Sequence, residues 1–166
     1  MRPKRWFMRF VFSKLDYCNS LRTGAPKNLI HKLQRVQNAA ARPVVRCRRQ
    51  HHITPVLCSL HWLPISCRIQ YNVTSLCHCS PSEGGPKYLS ELLHKYTPFR
   101  QLRSSSDSFA LRVPTTNRKT FGERSFSFTG PTAWNSLPYD IRFVNSAPSF
   151  RQALKTRPFK SYFESN

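Results

Sequence analysis

Negative charge is what this sequence has least of. Seven acids, Asp16, Glu83, Glu91, Asp107, Glu123, Asp140 and Glu164, stand against 27 lysines and arginines, for a formal net charge of +20. No acid falls from residue 17 to residue 82, where Arg22, Lys27, Lys32, Arg35, Arg42, Arg46, Arg48, Arg49 and Arg68 accumulate. Such a stretch cannot neutralise itself, and it favours polyanionic partners whose condensed counterions are released when protein cations replace them. The same scarcity argues against chemistry that needs two carboxylates in concert, or a metal clamp built from them, because no two of the seven are close in sequence.

Long apolar runs are missing too. No stretch of about 18 apolar residues exists, so no membrane-spanning helix is expected. The basic segments lack the broad Trp/Phe/Leu face of an interfacial helix, which favours nucleic acid over a membrane as the polyanion. The opening MRPKRWFMRFVF is interrupted by Arg9 and leads to no small-residue cleavage site. It does not read as a secretory signal, so an intracellular protein of nucleus or cytoplasm is expected, not a secreted one. In that setting Cys18, Cys47, Cys58, Cys67, Cys77 and Cys79 are expected as reduced thiols. Neither a P-loop, a dinucleotide fingerprint, a G-x-S-x-G elbow, an RNP motif nor a GXXG loop is present. Cysteine and histidine are plentiful, but the CHC at residues 77–79, the isolated Cys47, Cys58 and Cys67, and His51, His52 and His61 make no standard zinc spacing. No catalytic residue, metal ligand, cofactor or small-molecule substrate is expected.

What is present points to short helices. Five glycines against 13 prolines argue for elements with abrupt ends, and a 13% aromatic content exceeds that of a disordered basic tail. Residues 6–22 run without a breaker and predict a helix. In APKNLIHKLQRVQNAAAR, Pro26 suits a first turn and Leu29, Ile30, Leu33, Val36 and Ala40 repeat at helical spacing. Lys27, Gln34, Arg35, Asn38 and Arg42 take the opposite face, which is either an ordinary solvated side or a rail along a phosphate backbone. Pro43 predicts that this helix stops at Arg42. Thr54 before Pro55 reads as a cap, Trp62 and Leu63 as core anchors at a corner, and Pro64 as the start of a helix with Ile65, Ile69, Val73 and Leu76 on one face. Pro86 opens a further short helix after the SPSEGGP loop. SFALRVP and KTFGERSFSFT alternate partially with period two and suggest two strands of a hairpin. Pro131 predicts a helix start, and Pro158 a break in the terminal helix. The fold class is therefore mostly α, short helices joined by Pro-rich connections, with room for a small β-hairpin near 108–128.

Lys27, Lys32, Arg35, Arg42, Arg46, Arg48 and Arg49 are the first candidate phosphate contacts, and Arg100, Arg103, Arg118 and Lys119 a second patch. Trp6, Phe7, Phe10 and Phe12 stand beside Arg2, Lys4, Arg5 and Arg9, and Phe99, Phe109, Phe121, Phe126 and Phe128 among Arg100, Arg103, Arg112, Arg118, Lys119 and Arg124, the mixture that stacking on unpaired bases requires, although most such aromatics are core residues.

In order along the chain, KLDYCNSL, LQRVQNAAAR, HITPVLCSLHWLPISCRI, PKYLSELLHKYTP, RSSS and KTFGERSFSFTGPTAWNSLPYDIR closely resemble the carboxy-terminal region of LINE-type (non-LTR) retrotransposon polyproteins of the jockey-like clades. The likeness runs from about residue 11 to residue 163. It implies a largely helical thumb and post-palm extension that grips template RNA and the primer duplex. It also implies that the polymerase palm and the endonuclease are not among these residues, and therefore no enzyme activity of their own. On this resemblance 1–79 is a thumb-like basic helical segment, 80–86 a loop and 87–166 a carboxy-terminal extension. HITPVLCSLHWLP becomes a structural helix corner with Trp62 and Pro64 as packing residues. The chain departs from the family pattern at Pro43, Cys58, Cys67 and Pro158 and within NVTSLCHCSPSEGG, changes of the kind drift leaves in a decayed copy. Two expectations follow: a non-catalytic fragment binding RNA or an RNA/DNA duplex through phosphates, or a transposon-derived relic with no biochemical function.

Overall fold

A computed structural model describes residues 5–80, 85–98, 109–117 and 121–164. The described residues are mostly helical, in the order α1 (Arg5–Asp16), α2 (Lys27–Val45), α3 (Ile53–Ser59), α4 (Ile65–Cys79), α5 (Lys87–Ser90), α6 (Phe126–Asn135), α7 (Tyr139–Arg142) and α8 (Ala147–Glu164). Short 3-10 turns occupy Asn19–Arg22 and Gly122–Arg124. The chain divides into two compact units, one of residues 1–69 with 156–166 and one of residues 70–155.

In the first unit two apolar clusters hold the helices. Ala41, Val56, Leu57 and Trp62 are buried together, with Phe12, Val44 and Ile53 against them. Leu15, Ile65 and Ile69 form the other, with Val11, Ile30 and Leu33 alongside. The apolar face of α2 is rotated from the expected one. Gln37, Ala40 and Ala41 are buried, whereas Leu29 and Val36 are exposed. A glutamine can sit inside because its polar atoms are used. Gln37 Nε2 donates to the Leu63 carbonyl at 2.8 Å, and Gln34 Oε1 accepts the Ile65 N–H at 2.9 Å. These bonds satisfy backbone groups where α4 begins, a place where a helix has no acceptors of its own to offer.

The corner at residues 57–64 closes by chain geometry. His61 adopts a left-handed conformation (φ 54°), its N–H bonds to the Cys58 carbonyl at 2.9 Å, and the Trp62 N–H bonds to the Leu57 carbonyl at 2.9 Å. This is the paired Schellman closure, and the apolar contact that accompanies it is the Leu57–Trp62 pair in the core. Trp62 also meets Phe12 edge-on, with ring centroids 4.4 Å apart. The Arg68 guanidinium lies over the Phe12 ring, 4.5 Å from its centroid, and forms a bidentate ion pair with Asp16.

Two boundaries and one buried face in these helices differ from expectation. α2 continues through Pro43 to Val45. The ring removes the bond from residue 43 to the Ala39 carbonyl, but Ala39 and Pro43 are both exposed, so the loss falls on the solvent side while Ala41 and Val44 remain packed on the inner side. α3 begins at Ile53, with His52 and not Thr54 as the capping residue. Pro55 then falls in the first turn, where no intrahelical donor is needed. The buried stripe of α4 is Ile65, Ile69, Val73 and Cys77, at strict four-residue steps, with Cys77 in the place expected for Leu76.

The second unit packs Cys77, Trp134, Leu137, Ile141, Phe150 and Leu154 into one core. Gly130 lets α6 approach α4, since a Cβ there would stand 3.1 Å from Cys77 Sγ. The expected hairpin is corrected. Residues 126–128 open α6, which runs through Pro131 instead of starting at it. The extended piece around Leu111 pairs antiparallel with Lys95, through bonds from Tyr96 N–H to the Ala110 carbonyl (2.9 Å) and from Arg112 N–H to the His94 carbonyl (2.8 Å). Its other edge is taken by the Asn135 amide, which bonds both backbone groups of Leu111 at 2.7 and 2.9 Å. α8 continues past Pro158 to Glu164.

Candidate functional site

Five of the candidate cations are brought together by α2 and the connection that follows it. Lys32, Arg35, Arg42, Arg46 and Arg49 line one open concavity of about 1050 Å³, with Val36, Ala39, Pro43 and Cys47 between them. The helical members Lys32, Arg35 and Arg42 are separated by three and seven residues, about one and two turns, which places them on one side of α2. Lys27 and Arg48 are exposed but do not line it. Arg100, Arg103, Arg118 and Lys119 lie outside the described residues.

The end of α2 shapes this surface. Arg46 is left-handed (φ 55°), with its N–H on the Pro43 carbonyl at 3.4 Å and the Cys47 N–H on the Arg42 carbonyl at 3.0 Å, a second Schellman closure. Glycine usually takes such a position, because a Cβ there costs about 1–2 kcal/mol. Here an arginine takes it and faces the concavity. Arg42 has a different role. Its Nη1 donates to the Arg48 carbonyl at 2.7 Å and to the His51 carbonyl at 3.1 Å, folding residues 48–51 back against α2.

The charge on this surface is unbalanced. Asp16, the nearest acid in sequence, is taken by Arg68. No described carboxylate pairs with Lys32, Arg35, Arg42, Arg46 or Arg49. No aromatic side chain is among the described lining residues, which offer cations for phosphates and no platform for stacked bases.

No family model, curated protein or solved structure matches this chain.

The cysteines and histidines do not assemble into a competing centre. Among the described residues no three of His, Cys, Asp and Glu gather as metal ligands. Burial pushes the Cys77 thiol up to about 12 and raises Cys67 as well, which disfavours the thiolate that metal binding or nucleophilic attack requires. His78 is a packing residue, with Nε2 2.8 Å from the Val144 carbonyl and its ring stacked on Phe150 at 4.1 Å. No described helix is long and apolar enough to cross a membrane.

Sequence reasoning missed the two glutamine clamps and the Asp16–Arg68 pair. Gln37 sits one turn from Leu33 and three residues from Ala40, a spacing that places it on the inner face. The Arg68 link spans 52 residues and leaves no local signal.

Proposed function

We propose that this chain is a non-catalytic nucleic-acid-binding piece of a LINE-type reverse transcriptase, gripping RNA or an RNA/DNA duplex through phosphates without reading bases. The observation that carries the reading is the gathering of Lys32, Arg35, Arg42, Arg46 and Arg49 around one open concavity with no described carboxylate paired to them. Cations in that state remain hydrated and repel one another until a polyanion supplies the missing charge. The mixture of cations with small and aliphatic side chains, and the absence of aromatics among the described lining residues, suits a phosphate backbone better than splayed bases. The order of motifs from KLDYCNSL to the GPTAWNSLPYDIR segment supplies the reverse-transcriptase part of the proposal. The helical corner built on Trp62 and Pro64 agrees with the structural role that resemblance gives it.

The test is fluorescence anisotropy of a labelled 20-base-pair RNA/DNA duplex across a salt series, with the unaltered chain and with a variant carrying Lys32→Glu, Arg35→Glu, Arg46→Glu and Arg49→Glu. These four side chains are exposed, so the variant keeps the core. The expected outcome is a steep fall of log affinity with log salt that is largely lost in the variant. Equal slopes for the two proteins would place the nucleic-acid contacts elsewhere and overturn the assignment.

A further inference from the structure

The second unit holds a cavity that the phosphate-binding reading does not use. It measures about 480 Å³ and is more enclosed than the basic surface of the first unit. Leu93, Phe109, Leu111, Trp134 and Val144 supply apolar wall. Lys95 supplies charge from an exposed side chain, and the antiparallel bridge places its backbone opposite Leu111 at the cavity wall. No described carboxylate pairs with Lys95. Arg142 adds a second positive charge to the lining from a buried position and is already engaged in contacts of its own. Trp134 is held in place by its indole N–H, which donates to the Phe109 carbonyl at 2.7 Å.

An apolar, partly enclosed space of this size with a cation at its rim selects for a flat apolar body that ends in an anion. A neutral apolar body leaves the lysine unmatched. A hydrated inorganic anion leaves the walls unfilled. We propose that this cavity is a binding site for a small aromatic or aliphatic carboxylate, the ring or chain lying against Leu111 and Trp134 and the carboxylate on Lys95. The charge of the lining and the chemistry of its walls carry the choice. The site is independent of the nucleic-acid reading, being formed wholly by residues 77–145 of the second unit.

The probe is 2-naphthoate, titrated into the full chain while the Trp134 indole N–H resonance is followed, with 2-naphthamide as the neutral comparison. A ligand of that size is expected to saturate one site with Kd on the order of 1 mM or tighter. The amide should bind about tenfold more weakly, and so should 2-naphthoate to Lys95→Glu, a substitution of an exposed residue that leaves the core intact. Binding of 2-naphthoate should be unchanged in Arg35→Glu, which removes charge from the other unit only. Absence of a saturable shift at Trp134, equal affinity for acid and amide, or an undiminished affinity in Lys95→Glu overturns the proposal. The salt dependence of duplex binding is read separately and is unaffected by any of these results.

Discussion

Arg46 separates what folds this chain from what the basic surface does. Its backbone occupies a conformation that glycine accepts without cost, and its side chain faces the concavity. Arg46→Gly should therefore raise stability by about 1 kcal/mol in urea titration while lowering the slope of log affinity against log salt by about 0.9, the value of one phosphate contact. Loss of both stability and binding would mean that the arginine serves the fold. Arg42 makes the opposite case. Its guanidinium ties two carbonyls of the 48–51 connection to α2, so Arg42→Gln should release more than its own contact. The salt slope should drop by about 2 with helicity by circular dichroism unchanged, and Arg42→Lys should recover part of it. A drop of only about 0.9 would make Arg42 an ordinary phosphate contact.

At the scale of elements, α2 carries the clearest lesson about what the sequence made legible. Its start beside Pro26 followed from the proline and the helical spacing after it, but its end, and with it its length, did not. The rule that proline stops a helix assumes that the lost bond is buried, whereas here it falls on the exposed side next to Ala39. Pro43→Ala restores that bond and should stabilise the chain by about 1–3 kcal/mol without altering the duplex salt slope, measured by thermal melting and anisotropy. The face of α2 was misread for a related reason. Leu29 and Val36 look like core and are exposed, while Gln37 looks like surface and is buried, because hydrogen bonds to residues 63 and 65 decide the helix rotation and no local pattern records them. In the second unit KTFGERSFSFT alternates like a strand, but Phe126 and Phe128 enter a helix instead, and the extended pairing of Leu111 is completed by an asparagine side chain from α6. The basic concavity was legible because five of its cations come from one helix and the turn after it. The carboxylate cavity of the second unit was not, since it needs residues from 77 to 145 in one place.

For the molecule as a whole, each unit has its own apolar core, and a pH series should register the state of Cys77 in the second. Burial holds its thiol neutral up to about 12 against an ordinary value of 9.0. The folded state thus binds this proton more tightly than the unfolded chain, so the associated stability is complete below about pH 9 and is lost as pH rises toward 12. The melting temperature should fall across that window, and Cys77→Ala should fall less steeply over the same range. Equal pH slopes would show that the thiol ionises without resistance in the folded state. A cooperative melt near neutral pH also separates a folded binding piece from a relic that does not hold its structure.

Unbalanced positive charge on a packed helical frame is the central claim, and duplex binding by the unaltered chain against salt tests it most directly. Five cations around one concavity predict a slope of log affinity against log salt of about −4 to −5. A slope near zero would contradict the account.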